Sequence, residues 1–449
     1  MRRTVAELRA LLGAQPGPAG ETVVTGVAID SRAARPGDLF VALSGERVDG
    51  HGFVGDAAAR GAAAVLLTRP IDHPLPQVVA ADTLAALQRL AGTERAGASF
   101  RLVAITGSVA KTTTKEYLAA LLATRFRVGA TAGSRNSQAG FPAELCNQPD
   151  GLDWMVAELG MNHAGELDRL GAVARPDALL YTLIAPAHLE FFPDLEAIAA
   201  AKAELVPHLA ADGVLVLNGA DPRVARLAER YAGRVVRYGV PLASDLWIED
   251  WDAQGLLGAA FTLRGPGVDI EVEWDVPGQH QARNLLAAAA CALALGIDPA
   301  AIPAAAAALR PAARRGEVHT LPGGVTVIDD SYNPSPLAVR QLLELLAATP
   351  GRRVAVLGEM LELGPTSVEL HREAGELAGR SADLLVAVGG PPARALAKAA
   401  LGIETHAVAN AAQALDLLRG LLHDGDVVLV KGSRGIGLDR VVDGLRGEA

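Results

Sequence analysis

Along most of the chain, short apolar runs alternate with longer stretches whose apolar positions recur at helical spacing. That is the rhythm of buried strands followed by amphipathic helices. In residues 1–98 the runs are brief, at 22–29, 39–43, 63–67 and 77–80, and are broken by Gly, Pro and Asp. From Arg101 the pattern becomes regular, with strands expected at 102–106, 154–158, 178–184 and 214–218 and helices at 111–124 and 166–174. A helix over 284–295 stops at Gly296, and an Ala- and Pro-rich stretch follows at 299–311. Beyond it, 325–329, 353–357, 384–388 and 426–430 again read as buried strands between helical patterns. Continuously apolar strands separated by helices predict parallel sheets covered on both faces. The small, polar stretch 93–99 reads as a linker, and a second boundary falls near 310–316. The fold class is therefore α/β in three domains, 1–98, 99–312 and 313–449.

Composition supports this and removes several function classes. A length of 449 residues suits about three domains. Hydrophobic residues make up 50% but aromatics only 4%, so Ala-rich helices packed on aliphatic strands are expected. The net charge of −10, without any run of basic residues, argues against nucleic acid or an anionic membrane as the main partner. Cys146 and Cys291 lie far apart without CxxC spacing and read as small buried hydrophobes in a reducing compartment. The N-terminus lacks the apolar core of a signal peptide and reads as a short amphipathic helix. The longest apolar run, 285–297, is too short to span a bilayer. A cytoplasmic, monomeric protein is expected.

The most chemistry lies in Thr106-Gly107-Ser108-Val109-Ala110-Lys111-Thr112-Thr113. A buried strand runs into a turn of small residues, and a helix opens with Lys-Thr-Thr. Backbone N–H groups of such a turn, with the helix N-terminus, form an anion site. Lys111 can reach the β- and γ-phosphates of a nucleotide, and the Thr112 hydroxyl can ligate Mg²⁺. The strict GxxxxGK[ST] pattern is not met, because Ala110 stands where a glycine precedes the lysine. If that position requires positive φ, alanine there costs about 1 kcal/mol.

With its flanks this segment, TGSVAKTTTKE, resembles the ATP-binding signature of the Mur ligases, and further motifs occur in that family's order. The first domain has Asp30-Ser31-Arg32, a segment at 35–42, and Gly45-Glu46-Arg47-Val48-Asp49-Gly50-His51. The last has Asp329-Asp330-Ser331-Tyr332-Asn333, a segment at 357–364 with His371, and Lys431-Gly432-Ser433-Arg434-Gly435. This combination is similar to the branch of the family that adds D-alanyl-D-alanine.

The resemblance implies a central P-loop-type parallel-sheet ATPase domain, an N-terminal uridine-nucleotide-binding α/β domain, and a C-terminal Rossmann-like α/β domain that takes the incoming amine. It implies ATP-dependent amide bond formation between UDP-N-acetylmuramoyl-tripeptide and D-Ala-D-Ala through an acyl phosphate, with two Mg²⁺ ions. Glu158 and His188 become magnesium ligands, although His188 taken alone would read as a satisfied histidine. Lys202 matches the lysine that these enzymes carbamylate, which would add a negative oxygen near the metal. Asn284 falls at the adenine-contacting position, Arg315 at a phosphate-contacting arginine with Arg314 leaving the register open, and Asp330 on the ribose or phosphate side. Ser31, Arg32, Gly45, Arg47 and His51 are expected to hold the uridine nucleotide, and Tyr332 and Asn333 to touch substrate.

Four places depart from the family pattern: Val109-Ala110, Ser137 to Gly140, Tyr181 to Ala185, and Pro334-Ser335. Such changes fit either drift or a Mur-like ligase acting on another acid and amine. Hinges for closure over the reactive intermediate are expected near residues 98 and 312.

Overall fold

The computed structural model describes residues 1–447 except 16, 46, 47 and 188. A four-stranded parallel sheet, Gly26–Ala28, Asp38–Val41, Ala64–Leu67 and Gln77–Val79, forms the centre of the N-terminal region. The middle of the chain forms a six-stranded parallel sheet. Its order is Arg234–Tyr238, Val214–Asn218, Ala178–Tyr181, Arg101–Thr106, Trp154–Glu158, Val128–Ala130. The C-terminal sheet also has six strands, in the order Glu317–Thr320, Thr326–Asp330, Val427–Lys431, Arg353–Gly358, Leu384–Val388, Glu404–Val408. Only its first strand runs antiparallel to its neighbour.

Apolar positions decide these elements. Leu102, Val103, Ala104 and Ile105 are all fully buried, as a central strand covered on both faces requires. Both cysteines are buried and free. Among the described residues no helix is long and apolar enough to cross a membrane.

Two features differ from the sequence reading. The central region also carries a three-stranded antiparallel sheet, Trp247–Ala253, Ala259–Gly265 and Val268–Trp274. Its last strand buries Ile270, Val272 and Trp274 and exposes Asp269, Glu271 and Glu273, the period-two pattern of a half-covered strand. The expected linker at 93–99 is instead mostly the end of a helix, Thr83–Gly97. Thr93 returns its hydroxyl to the Arg89 carbonyl at 2.9 Å. Arg95 reaches the Ala174 carbonyl at 2.8 Å and Asp177 at 2.8 Å, tying this helix to the middle of the chain. Polar composition there marks a docking face rather than a loose connection.

One apolar core runs from the N-terminal region into the central one, joining Leu8, Leu87 and Leu90 to Phe141, Leu167 and Leu170. Asn147 strengthens the junction by accepting the Val27 N–H and donating to the Val27 carbonyl, each at 2.8 Å. The C-terminal region has its own cores on both faces of its sheet. It meets the centre along a cleft lined by both polar and apolar side chains.

Candidate active site

The phosphate-type loop sits between the strand Arg101–Thr106 and the helix Lys111–Ala123. Ala110 does adopt the left-handed conformation, with φ 70° and ψ −6°, so this alanine carries the strain that glycine would avoid. Gly107 cannot be replaced, because an added Cβ would fall 1.8 Å from Thr182 Oγ1. The altered 181–185 segment braces the loop. Thr182 donates its hydroxyl to the Val109 carbonyl at 2.7 Å, and the Ser108 N–H donates to the Leu183 carbonyl at 2.7 Å. Ser108 Oγ is buried without a hydrogen-bond partner, a polar group suited to an incoming oxyanion.

Three strand and helix ends converge behind the loop. Glu158 ends its strand and is 2% exposed. It accepts the Thr112 hydroxyl at 2.6 Å and the Asn136 side-chain amide. Lys111 donates to the Gly107 carbonyl at 2.9 Å. Burial lowers its pKa, the Arg315 charge acts the same way, and Glu158 opposes both. Lys202 closes the helix Leu195–Lys202 and is 2% exposed. Its ammonium makes no hydrogen bond to any described residue. Burial first, and then the Lys111 charge, push its pKa well below the ordinary lysine value, with Glu158 acting in the other direction.

Lys111, Thr112, Glu158 and Lys202 all line one cleft of about 840 Å³, together with Ser108, Val109, Ala110, Thr113 and Asn284. The opposite wall comes from the C-terminal region: Arg315, Asp330, Tyr332, Asn333, Lys431, Ser433 and Arg434. Arg315 and Arg314 point different ways. Arg315 stacks over the Tyr332 ring at 4.2 Å inside the cleft, whereas Arg314 pairs with Asp443 at 3.0 Å. Lys431, 1% exposed, pairs with Asp330 and donates to the Asn333 carbonyl at 3.2 Å. Asn284 donates to Gln281 Oε1 at 3.2 Å, and Gln281 in turn donates to the Arg315 carbonyl at 3.0 Å. Gln281 and Lys431 were not among the residues singled out for the nucleotide. Gln281 lies in the first turn of the helix Gln279–Ala294 and carries no motif of its own.

The N-terminal residues lie elsewhere. Ser31, Arg32, Gly45 and His51 do not line this cleft. Ser31 is buried, while Arg32 is exposed and paired with Asp30 at 2.7 Å. The Arg32 hydrogen bonds hold the Asp30 carboxyl down at about 2, and Arg135, from the central loop at 131–136, adds to the shift. His51 is occupied at both ring nitrogens, by Asp49 at 2.6 Å and by the Thr68 N–H at 3.2 Å. It fixes the turn after Leu43 rather than presenting a free nitrogen. His188 and Arg47 lie outside the described residues. Pro334-Ser335 has a structural use, since the Ser335 hydroxyl caps the helix Pro336–Ala347 by accepting the Ala338 N–H.

Comparison with known proteins agrees with this architecture. Residues 23–100, 105–292 and 314–434 match in turn the Mur ligase family catalytic domain, the Mur ligase middle domain and the Mur ligase glutamate ligase domain. The UDP-N-acetylmuramoyl-tripeptide–D-alanyl-D-alanine ligase of Mycobacterium tuberculosis H37Rv is 37% identical, covering 98% of this chain and 97% of its own. The crystal structure of MurF from Acinetobacter baumannii superposes with a TM-score of 0.89 at 30% identity, covering 100% of this chain and 99% of that one. MurF from Thermotoga maritima in complex with ADP gives a TM-score of 0.81 at 28% identity, over 95% and 98% of the two chains. Similarity sustained along the whole sequence, with the three family segments in order, places the chain in the Mur ligase family.

Proposed function

We propose that this protein joins D-alanyl-D-alanine to UDP-N-acetylmuramoyl-tripeptide in an ATP-dependent ligation that proceeds through an acyl phosphate. The observation that carries the reading is convergence. Lys111 and Thr112 from one helix, Glu158 from a strand and Lys202 from a second helix meet on one wall of a cleft whose other wall is a second domain. The relatives named above bear this activity in their names, and the Thermotoga maritima structure holds ADP.

ATP fits the loop. The left-handed Ala110 and the helix start at Lys111 aim backbone N–H groups at the phosphates, and the unpartnered Ser108 hydroxyl adds a donor. Asn284, Arg315 and Asp330 line the same cleft, where they would serve the base, the phosphates and the ribose or phosphate side. The Thr112 hydroxyl and the Glu158 carboxylate offer adjacent hard oxygen donors, which suit magnesium, and His188 and Lys202 would complete the ligand set. Magnesium bound there would neutralise charge on the transferring phosphoryl oxygens.

In the first step the tripeptide carboxylate attacks the γ-phosphorus, the bond to ADP breaks, and Lys111 balances charge on the phosphoryl group. In the second the neutral amine of D-Ala-D-Ala attacks the acyl carbon, phosphate leaves with the electrons of the C–O bond, and the proton lost from nitrogen passes to the departing phosphate or to solvent. Water would hydrolyse the acyl phosphate, so the cleft between the central and C-terminal domains must exclude it. The low pKa of Lys202 favours the free amine, the form that adds CO₂ and releases a proton to become a carbamate. The uridine end would sit on the N-terminal domain, near Ser31, Arg32 and Gly45, with Arg47 the further residue expected from the resemblance and His51 acting through the turn it holds.

The test is phosphate release by the purified protein. Release requiring ATP, magnesium, the muramoyl tripeptide and D-Ala-D-Ala together, and lost in Lys111→Ala, is the expected result. Release supported by a different acid or amine in preference to these two would overturn the assignment.

A further inference from the structure

Lys115 lies one helical turn beyond Lys111, within the motif that opens the helix, yet no step above uses it. It is fully buried, at 0% exposure. Its ammonium donates to the carbonyls of Thr131 and Gly133, the latter at 2.8 Å, and pairs with Glu116 at 2.8 Å. A buried ammonium is expensive to desolvate, and an apolar side chain of similar volume would fill the same space more cheaply. What the lysine supplies beyond packing is its hold on the loop at 131–136.

That loop reaches the reaction centre at three points. The Thr131 hydroxyl accepts the Glu158 N–H at 3.2 Å, and the Asn136 amide donates to Glu158 Oε1. Between them, Ser134 Oγ hydrogen-bonds the Tyr332 hydroxyl of the C-terminal domain. Glu144 steadies the rest, accepting the Ala132 N–H at 3.1 Å and pairing with Arg135 at 2.6 Å.

We propose that Lys115 is a positioning residue of the ligation. By gripping two carbonyls of the 131–136 loop it sets the orientation of the Glu158 carboxylate and the point where Tyr332 docks. The same residue thereby links magnesium binding to closure of the C-terminal domain. This rests on the reading of Glu158 as a magnesium ligand.

Lys115→Met keeps the stem and removes the charge. The half-saturating magnesium concentration should rise, and turnover fall, by about 10–100-fold, the usual cost of losing an outer support of a metal ligand. The KM for the tripeptide should rise less. Asn136→Ala should reproduce the magnesium effect with Lys115 intact, and the double variant should be no worse than the weaker single one. A folded Lys115→Met protein with wild-type magnesium dependence overturns the proposal, and so do additive effects in the double variant. If Lys115→Met does not fold, Asn136→Ala decides alone, because unchanged magnesium dependence there means the loop has no hold on Glu158. Glu158→Gln run in parallel tests the underlying reading. If it retains wild-type magnesium dependence, the magnesium assignment itself has failed.

Discussion

Where the N-terminal domain meets the central one, Leu87 and Leu90 lie in the same apolar core as Phe141, Leu167 and Leu170. Where the C-terminal domain meets it, the contacts include a Ser134–Tyr332 hydrogen bond, a Glu190 N–H to the Glu362 carbonyl at 3.1 Å and the Gln281 link to the Arg315 carbonyl, with the central-region side chain Leu256 packed on the C-terminal core. Opening the first junction would expose continuous apolar surface. Opening the second exchanges hydrogen bonds for water, at a net cost of roughly 1 kcal/mol each. The two junctions therefore differ in kind: the first is continuous apolar packing, and the second is a more polar contact around the cleft. Backbone geometry agrees. Arg314 at φ 60° and Gly316 at φ 90° flank Arg315, whereas residue 98 directly follows an unbroken helix. Of the two positions where hinges are expected from sequence, residue 98 follows a helix packed into the shared core, and the segment near 312 runs into two residues of positive φ.

The largest effect should come from the cleft. Glu158→Gln is expected to slow phosphate release by about 10³-fold with little change in thermal stability, since it removes charge stabilisation and no packing. Leu90→Ala should do the reverse. A loss of about 2–5 kcal/mol in urea unfolding is expected, with turnover of the folded protein nearly unchanged. The N-terminal and central domains should still unfold in a single transition, and two separate transitions would break the comparison. Tyr332→Phe removes only the hydroxyl that meets Ser134. It should weaken closure by about 1 kcal/mol, read as a several-fold rise in the KM for the tripeptide at unchanged stability.

The smallest effect lies within the C-terminal domain. His371 is fully buried, accepts the Met360 N–H at 2.9 Å, and donates to the Ser367 carbonyl at 2.7 Å. Burial lowers its pKa from the ordinary 6.5, so the folded domain binds fewer protons than the unfolded chain. Its contribution is complete above about pH 6.5 and is lost as pH falls below that value. Thermal unfolding between pH 7 and 5 should be steeper in the wild-type protein than in His371→Ala, which lacks this titration.

Much of this was legible in the sequence. The strands at 154–158, 214–218 and 384–388 appear where apolar runs predict them, because strands covered on both faces are apolar along their length, with polar Glu158 and Asn218 only at the C-terminal ends. The strand–turn–helix at 106–113 was legible, and the positive φ whose cost at Ala110 the sequence left conditional is present. Other features depend on contacts that no local pattern records. The stretch 93–99 read as a linker because the contacts that hold the end of the helix Thr83–Gly97 go to a distant segment through Arg95. The choice between Arg314 and Arg315 depends on which way each side chain turns, toward Asp443 or toward Tyr332. The antiparallel sheet did leave a trace, in the alternation from Val268 to Trp274, that the surrounding strand–helix rhythm obscured.

The central claim is that one cleft, walled by two domains, converts the tripeptide carboxylate into an acyl phosphate before the amine attacks. The direct measurement is to label that carboxylate with heavy oxygen and follow the label during a single turnover with ATP and D-Ala-D-Ala. The account predicts one labelled oxygen in each phosphate released and none in ADP. Phosphate free of label, with the amide formed at the normal rate, would contradict it.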